Sequence, residues 1–262
     1  MSSFLIDTHT HLDFQQYDAD RELVIERAKD AQVKALLCIG IDLPTSRQAI
    51  AIAEHHPNLF ATVGVHPHDA RSFTGEDLEQ LHELVQHPKV VALGEVGLDY
   101  YRKLSPLDTQ RRIFRVFLDW AKQTDLPLII HTREADEDII TILRERARTG
   151  WRGVFHCFSG DQRMADKVLD LGFLISFTGS ITFHNSRSVE VVKHVPIEKL
   201  MVETDSPFMT PVPHRGKRNE PAFVNYVAQK MAELKGLPYD DVARITSQNA
   251  IDLFGLQLVD VF

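Results

Sequence analysis

The sequence has 262 residues, of which 44% are hydrophobic and 25% are charged, and its formal net charge is −8. This length suits a barrel of alternating strands and helices, which typically has roughly 250 residues, and the composition is that of a globular rather than a disordered protein. The acidic balance excludes a protein that binds nucleic acid through an overall positive field. A polyanionic substrate would therefore have to be attracted by local features.

Composition also bears on compartment and domain number. Cys38 and Cys157 lie in apolar stretches and give no disulfide framework, which favours a reducing compartment. The first residues do not resemble a secretory leader, and no apolar run approaches the ~20 residues needed to span a bilayer. We expect a cytoplasmic protein with no membrane association. We also expect a single domain over 1–262, because no linker or charge block divides the chain.

Short β-branched runs alternate with amphipathic segments along the chain. The predicted strands cover 4–9, 34–40, 59–65, 90–99, 126–132, 152–158, 172–179 and 200–207. Most are continuously apolar, as strands buried on both faces are. Apolar residues at three- and four-residue spacing predict helices over 18–32, 76–87, 109–125, 137–148 and 162–172.

Proline and glycine mark several predicted helix boundaries. Pro44, Pro106 and Pro221 suit first helical turns, and Gly172 and Gly236 suit helix ends. Two further helical segments, 220–236 and 238–254, follow the last strand. Eight strand–helix units predict a parallel sheet with right-handed crossovers. The predicted fold is an α/β (β/α)8 TIM barrel with an extra C-terminal helix, and an open doubly wound sheet is the alternative.

Unusual polar residues fall where the predicted strands end. A barrel gathers the carboxyl ends of its strands at one mouth, so these side chains should converge there. His9 and His11 have the strand period of two and therefore point to the same side. Imidazoles and carboxylates are suitable ligands for divalent metals. The predicted metal ligands are His9, His11, Glu95, His131, His156 and Asp205.

Each of these residues taken alone has a more ordinary interpretation. A lone histidine at a strand end is more often a hydrogen-bonded core residue, and a lone buried acid often pairs with an arginine. The argument for a metal rests on their coincidence at the ends of different strands. His66 is interpreted either as a substrate contact or as a supporting residue. Surface or helix-end positions are predicted for His55, His56, His68, His82, His87 and His194.

Several longer motifs point to a known family. They are IDTHTHLD, VGVHPHD, ALGEVGLDYY, IIHTREA, FHCFSG and VETDSPFMTPVPHRGKRNEPAFV. With these motifs, which span nearly the whole chain, the sequence resembles the TatD family of metal-dependent deoxyribonucleases, a branch of the amidohydrolase-like barrels, and its YcfH-type members in particular. The resemblance implies two metal positions. It places His9, His11 and Asp205 around one, His131 and His156 around the other, and Glu95 between them.

The expected cofactor is thus a pair of divalent cations per chain, zinc, magnesium or manganese. Two such cations would outweigh Glu95 and Asp205, so the mouth can be positive in a chain of net charge −8. We expect attack of a metal-activated water on phosphorus, with Asp205 as proton acceptor and Glu95 as the second catalytic residue. Predicted substrate contacts are His66, Arg133, Arg215, Lys217, Arg218 and Tyr100, since arginine suits phosphate and tyrosine can stack on a base.

Three functions are open at this point. The first, suggested by the resemblance, is 3′-5′ exonucleolytic hydrolysis of single-stranded DNA, which makes DNA the expected partner. The second is hydrolysis of an amide, ester, lactone or small phosphoester. The third is a non-catalytic binding protein, against which the complete ligand set argues. No oligomerisation helix or coiled-coil seam stands out, which favours a monomer.

Overall fold

A computed structural model describes residues 3–146 and 150–259. Its strands form one sheet in which every neighbouring pair is parallel and the order follows the chain. The strands are β1 (Leu5–Thr10), β2 (Val33–Cys38), β3 (Leu59–Val63), β4 (Val90–Asp99), β5 (Leu128–Arg133), β6 (Gly153–Phe155), β7 (Leu174–Phe177) and β8 (Leu200–Val202). The predicted eight-stranded α/β architecture is confirmed.

The first and last strands meet, which closes the sheet into a barrel. Thr10 and Ser206 form a parallel bridge. The backbone N–H of His11 donates to the carbonyl oxygen of Ser206 over 2.8 Å, and the N–H of Asp205 donates to the carbonyl oxygen of His9 over the same distance. The barrel prediction is therefore confirmed over the open doubly wound alternative.

Helices follow the strands around the outside. They are α1 (Arg21–Asp30), α2 (Leu43–Glu54), α3 (Gly75–Leu84), α4 (Leu107–Thr124), α5 (Asp136–Arg146), α6 (Gln162–Asp170), α7 (Ser188–His194), α8 (Val224–Lys235) and α9 (Tyr239–Phe254). The predicted segment 220–236 is a short 3₁₀ turn at Pro221–Phe223 followed by α8. The last two residues of the predicted helix 137–148 lie outside the described residues, and the single-domain assignment remains a prediction.

Local chemistry explains several boundaries. The side chain of Asp42 accepts from the N–H of Thr45 at the start of α2, a reciprocal capping arrangement with Pro44 in the first turn. Gly236 ends α8 in the left-handed conformation at φ 64°. The predicted strand 200–207 was too long, because β8 ends at Val202 and the chain turns at Asp205, where φ is 54°.

The apolar core has two layers. One side of the strands packs against the surrounding helices. The other fills the barrel with alternate residues such as Ile6, Leu37 and Met201, which belong to the same buried cluster as Leu253 and Phe254 of α9. Side chains of α9 also form hydrogen bonds with backbone carbonyl groups just before or at the start of strands. The hydroxyl of Ser247, for example, donates to the carbonyl oxygen of Phe4. Helix α9 therefore covers the amino end of the barrel and leaves the carboxyl end for the site.

Within the described ranges, every helix is too short or too polar to cross a membrane.

Candidate metal centre

Glu95 lies at the centre of the donor cluster, in the buried strand β4. Its Oε1 is 2.8 Å from Nδ1 of His131 and 2.7 Å from Nε2 of His156. Its Oε2 is 3.4 Å from Nε2 of His9. The two oxygens of one carboxylate thus face two different sets of imidazoles, as a carboxylate shared between two cations would.

His9, His11 and Asp205 form the first set, which we call the first metal position. Nε2 of His9 and Nε2 of His11 lie 3.7 and 3.4 Å from Oδ1 of Asp205. The left-handed backbone of Asp205 is uncommon for a residue with a side chain and recurs at functional sites. Its hydrogen bond to His9 fixes it across the seam where the barrel closes.

His131 and His156 form the second set, the second metal position, on the far side of Glu95. Nδ1 of His131 and Nε2 of His156 are 3.4 Å apart. The ring of His156 also stacks on that of His9 at a centroid distance of 4.0 Å. The four imidazoles and the carboxylate of Asp205 are therefore linked through Glu95 or through one another, although they come from four different strand ends, those of β1, β5, β6 and β8.

These residues fit a pair of divalent cations. Nε2 of His9 is buried without a hydrogen-bond partner among the described residues, and it faces both Glu95 and Asp205. Such atoms are rare in folded proteins because each unmade bond is unfavourable. Ligand atoms of His9, His11 and Asp205 also lie within 4.8 Å of one another. Imidazole and carboxylate donors suit zinc and manganese, and carboxylates suit magnesium.

His66 is close to this cluster but has a different proton arrangement. Its Nδ1 accepts from the backbone N–H of His68 over 3.1 Å, so the proton of the neutral ring belongs on Nε2. That nitrogen lies 3.5 Å from Oε1 of Glu95. Because a protonated nitrogen cannot bind a metal, His66 is better placed to donate a hydrogen bond to a substrate.

The charges in the cluster are mutually adjusted. Burial alone would raise the pKa of Glu95, but the imidazoles of His156 and His66 hold that pKa well below its ordinary value. Burial would raise the pKa of Asp205 in the same way, and His11 and His9 lower it instead. Burial lowers the pKa of His9. Both carboxylates are thus ionised and His9 is neutral. Neighbouring carboxylates raise the pKa of His11, His131 and His156 despite their burial, so a cation would compete with protons for these rings.

A pocket of about 500 Å³ opens above the cluster. Of the predicted substrate contacts, His66 and Arg133 are among its lining residues. Arg133 is solvent-exposed, and its guanidinium carbon lies 3.9 Å from the ring centroid of Tyr101. The remaining four predicted contacts, Tyr100, Arg215, Lys217 and Arg218, are not among the lining residues of this pocket.

Those four side chains have other surroundings. The hydroxyl of Tyr100 donates to Asp138 over 2.6 Å. Arg218 binds Asp20 through two nitrogens, each at 2.7 Å. Arg215 stacks on Phe183, and Lys217 is exposed. The positively charged side chains of the segment PHRGKRNEP (213–221) therefore contact other parts of the protein or solvent, and they do not line this pocket.

The predicted surface or helix-end position of His68 is wrong. A surface position was expected, whereas its ring lines the pocket and its Nε2 is 2.8 Å from Oδ2 of Asp99. Asp99 is fully buried and was not predicted as part of the site, and neither was Glu203. Spacing could have found Asp99, which shares the strand period of two with Glu95 within β4. His68 and Glu203 follow the ends of β3 and β8, where this period gives no guide.

Together, the closed barrel and the donor cluster define a barrel protein with a candidate metal centre at its mouth. Residues 6–255 match the family described as "TatD related DNase", so the chain belongs to this family. It is 47% identical to the uncharacterised metal-dependent hydrolase YabD of Bacillus subtilis, over 95% of this chain and 98% of YabD. It is 40% identical to the uncharacterised metal-dependent hydrolase YcfH of Escherichia coli K12, over 96% of each chain.

Further relatives agree with this assignment. The 3′-5′ ssDNA/RNA exonuclease TatD of Pectobacterium parmentieri is 35% identical, over 96% of this chain and all of its own length. Among solved structures, the TatD homologue YjjV of Escherichia coli K12 has a TM-score of 0.90 at 31% identity, covering 97% of this chain and 98% of YjjV. The chain is thus a metal-dependent hydrolase of the TatD family, and the family prediction is confirmed.

Proposed function

We propose that the protein hydrolyses phosphodiester bonds in single-stranded DNA from the 3′ end, with two divalent cations held at the barrel mouth. The observation that carries the proposal is the guanidinium of Arg133, which lines the same pocket as the donor cluster. A planar guanidinium forms paired, charge-assisted hydrogen bonds with phosphate oxygens. An arginine beside the ligand cluster would seat a phosphate against it.

Residues of the chain have separate roles in this scheme. His9, His11 and Asp205 would hold one cation, His131 and His156 the other, and Glu95 would contact both. When bound, the cations would lower the pKa of a water and neutralise charge on phosphorus. Asp205, ionised and at the edge of the pocket, would accept the proton from the attacking water. Nε2–H of His66 would donate to a phosphate oxygen.

Aromatic side chains in the pocket suit a nucleotide substrate. Phe14 stacks on the ring of His11 at a centroid distance of 4.7 Å, and Phe208 lies edge-on to Phe14 at 6.0 Å. Phe208 is 48% exposed, which is high for a large apolar side chain. Stacking of a base on an aromatic ring is tolerant of sequence and contributes ~1–3 kcal/mol. The exonuclease name of the Pectobacterium parmentieri relative agrees with this substrate class.

Hydrolysis of a carbonyl substrate is the second candidate. It is favoured by one observation: among the described residues that line the pocket, Arg133 is the only lysine or arginine. A carbonyl substrate needs the activated water and the proton acceptor but no further cation. The two candidates therefore differ in whether Arg133 contributes to turnover.

The deciding experiment is hydrolysis of end-labelled single-stranded oligonucleotides by metal-stripped protein, titrated separately with magnesium, manganese and zinc. Asp205→Asn, assayed at saturating metal, controls for a contaminating nuclease and should reduce the rate by ~10²–10⁴-fold as a lost general base. Shortening from the 3′ end alone, absent in the variant, would support the proposal. No cleavage with any metal would contradict it and favour the carbonyl candidate. The monomeric state and cytoplasmic location remain predictions.

A further inference from the structure

Two buried carboxylates lie behind the second metal position, and we call Asp99 and Glu203 the backing carboxylates. Oδ2 of Asp99 is 3.4 Å from Nε2 of His131, the ring nitrogen that faces away from Glu95. Oε1 of Glu203 is 3.5 Å from Nδ1 of His156, again the nitrogen that faces away from Glu95. Each imidazole of the second position is thus placed between Glu95 and a carboxylate of its own.

Both backing carboxylates are held in place by the surrounding protein. Asp99 accepts from the backbone N–H of Arg102 over 2.7 Å and contacts Nε2 of His68 over 2.8 Å. Glu203 accepts from the N–H of Cys157 and the hydroxyl of Ser176, each over 2.6 Å. Since one backbone and one side-chain group contacts each of them, these carboxylates are fixed supports for the imidazoles.

The first metal position is built differently. Every ion pair of His9 and His11 runs through Nε2, toward Glu95 or Asp205. Their outward Nδ1 atoms are buried and, like Nε2 of His131 and Nδ1 of His156, have no hydrogen-bond partner of good geometry among the described residues. Within the described part of the chain, no carboxylate forms an ion pair with Nδ1 of His9 or His11, although Glu203 also comes within 4.8 Å of a ring nitrogen of His9. The two positions therefore differ in the negative charge around them and in how firmly their imidazoles are oriented.

We propose that the two metal positions are inequivalent: the backing carboxylates orient His131 and His156 so that the second position binds its cation more tightly than the first. A carboxylate behind a ligating imidazole fixes the ring and increases its basicity, and loss of such a partner typically weakens metal binding ~10–100-fold. Asp99 and Glu203 act here as positioning residues, since each works through an imidazole.

The test is calorimetric titration of metal-stripped protein with Mn²⁺. Wild type should show two binding steps. Asp99→Asn and Glu203→Gln should each weaken the tighter step ~10–100-fold, and His11→Ala should weaken the other. Asp7→Asn is the matched control for the tighter step. Asp7 is a fully buried carboxyl that binds Thr204 and the backbone N–H of His9, and it forms no ion pair with His131 or His156 among the described residues. The tighter step should therefore change by no more than about twofold, below the loss expected for an outer partner.

A single unresolved step in wild type would overturn the proposal. Unchanged Mn²⁺ affinities in both Asp99→Asn and Glu203→Gln would also overturn it. The same holds if these variants weakened the binding step that His11→Ala affects. Ser176→Ala provides a milder second variant if a carboxylate variant does not fold, and it should weaken the tighter step less than Glu203→Gln does. The inference rests on the metal centre of the proposed function, but the titration contains no substrate. A protein with two such steps and no nuclease activity would contradict only the proposed function.

Discussion

Replacing Arg133 by glutamine distinguishes the two candidate functions. Arg133 lines the pocket, and its guanidinium carbon lies 3.9 Å from the ring centroid of Tyr101. Glutamine keeps much of the length and polarity of the side chain but removes the charge. The change therefore isolates the electrostatic contact with a phosphate.

The size of the effect follows from the exposure of Arg133. A hydrogen bond to a charged group contributes ~1.5–3 kcal/mol, and an exposed side chain belongs near the lower limit because solvent screens it. A loss of about 1.5 kcal/mol corresponds to a roughly tenfold fall in kcat/KM. For a neutral ester, which presents no anionic oxygen, we expect a change of less than about twofold, within screened-surface energies.

The assay compares bis(p-nitrophenyl) phosphate with p-nitrophenyl acetate at saturating metal. Arg215→Gln is the comparison variant, because Arg215 also stacks on an aromatic ring at 3.9 Å but is not among the residues lining the pocket. Equal losses on both substrates in Arg133→Gln would refute the reasoning. So would an equal loss of phosphodiesterase activity in Arg215→Gln, because position in the pocket would then be irrelevant.

Two further predictions concern stability. Gly97 has φ 147°, and a Cβ there would collide with the carbonyl oxygen of His131. Gly97→Ala should therefore lower the Tm by ~5 °C or more. For a chain of this size, each kcal/mol of destabilisation lowers the Tm by about 2–4 °C. Gly75→Ala is the control, because a Cβ at Gly75 would meet open space, and calorimetry should show its Tm unchanged or slightly raised. If both variants lost the same Tm, the clash between β4 and β5 could not be the cause of the Gly97→Ala effect. Hydrogen bonds from Arg218 lower the pKa of Asp20 to about 2, so this ionised pair stabilises the fold above the unfolded-state pKa and ceases to do so as the pH falls towards 2. Asp20→Asn should therefore destabilise the protein by ~1 kcal/mol at neutral pH, after allowance for solvent screening, with the difference from wild type disappearing between about pH 4 and 2 in denaturant titrations; a difference independent of pH would contradict the assignment.

The sequence by itself determined the architecture and the central part of the site. Continuous apolar runs indicate strands buried on both faces. Such strands, alternating with amphipathic helices, leave a closed barrel or an open doubly wound sheet, and eight strand–helix units in 262 residues favour the barrel. Closure brings the strand ends to one mouth. Polar residues at those ends, such as Glu95 and His131, could therefore be placed together although 36 positions separate them in the numbering.

Only the tertiary structure decided which polar side chains face the pocket and which are used for support. Arg218 looked like a phosphate ligand, but it pairs with Asp20, nearly two hundred positions away. His68 looked like a surface residue until its contact with Asp99 placed it in the pocket. The physical reason is that sequence periodicity fixes the side of a strand on which a residue lies. The partner of a long side chain in a loop depends on which distant segment folds beside it.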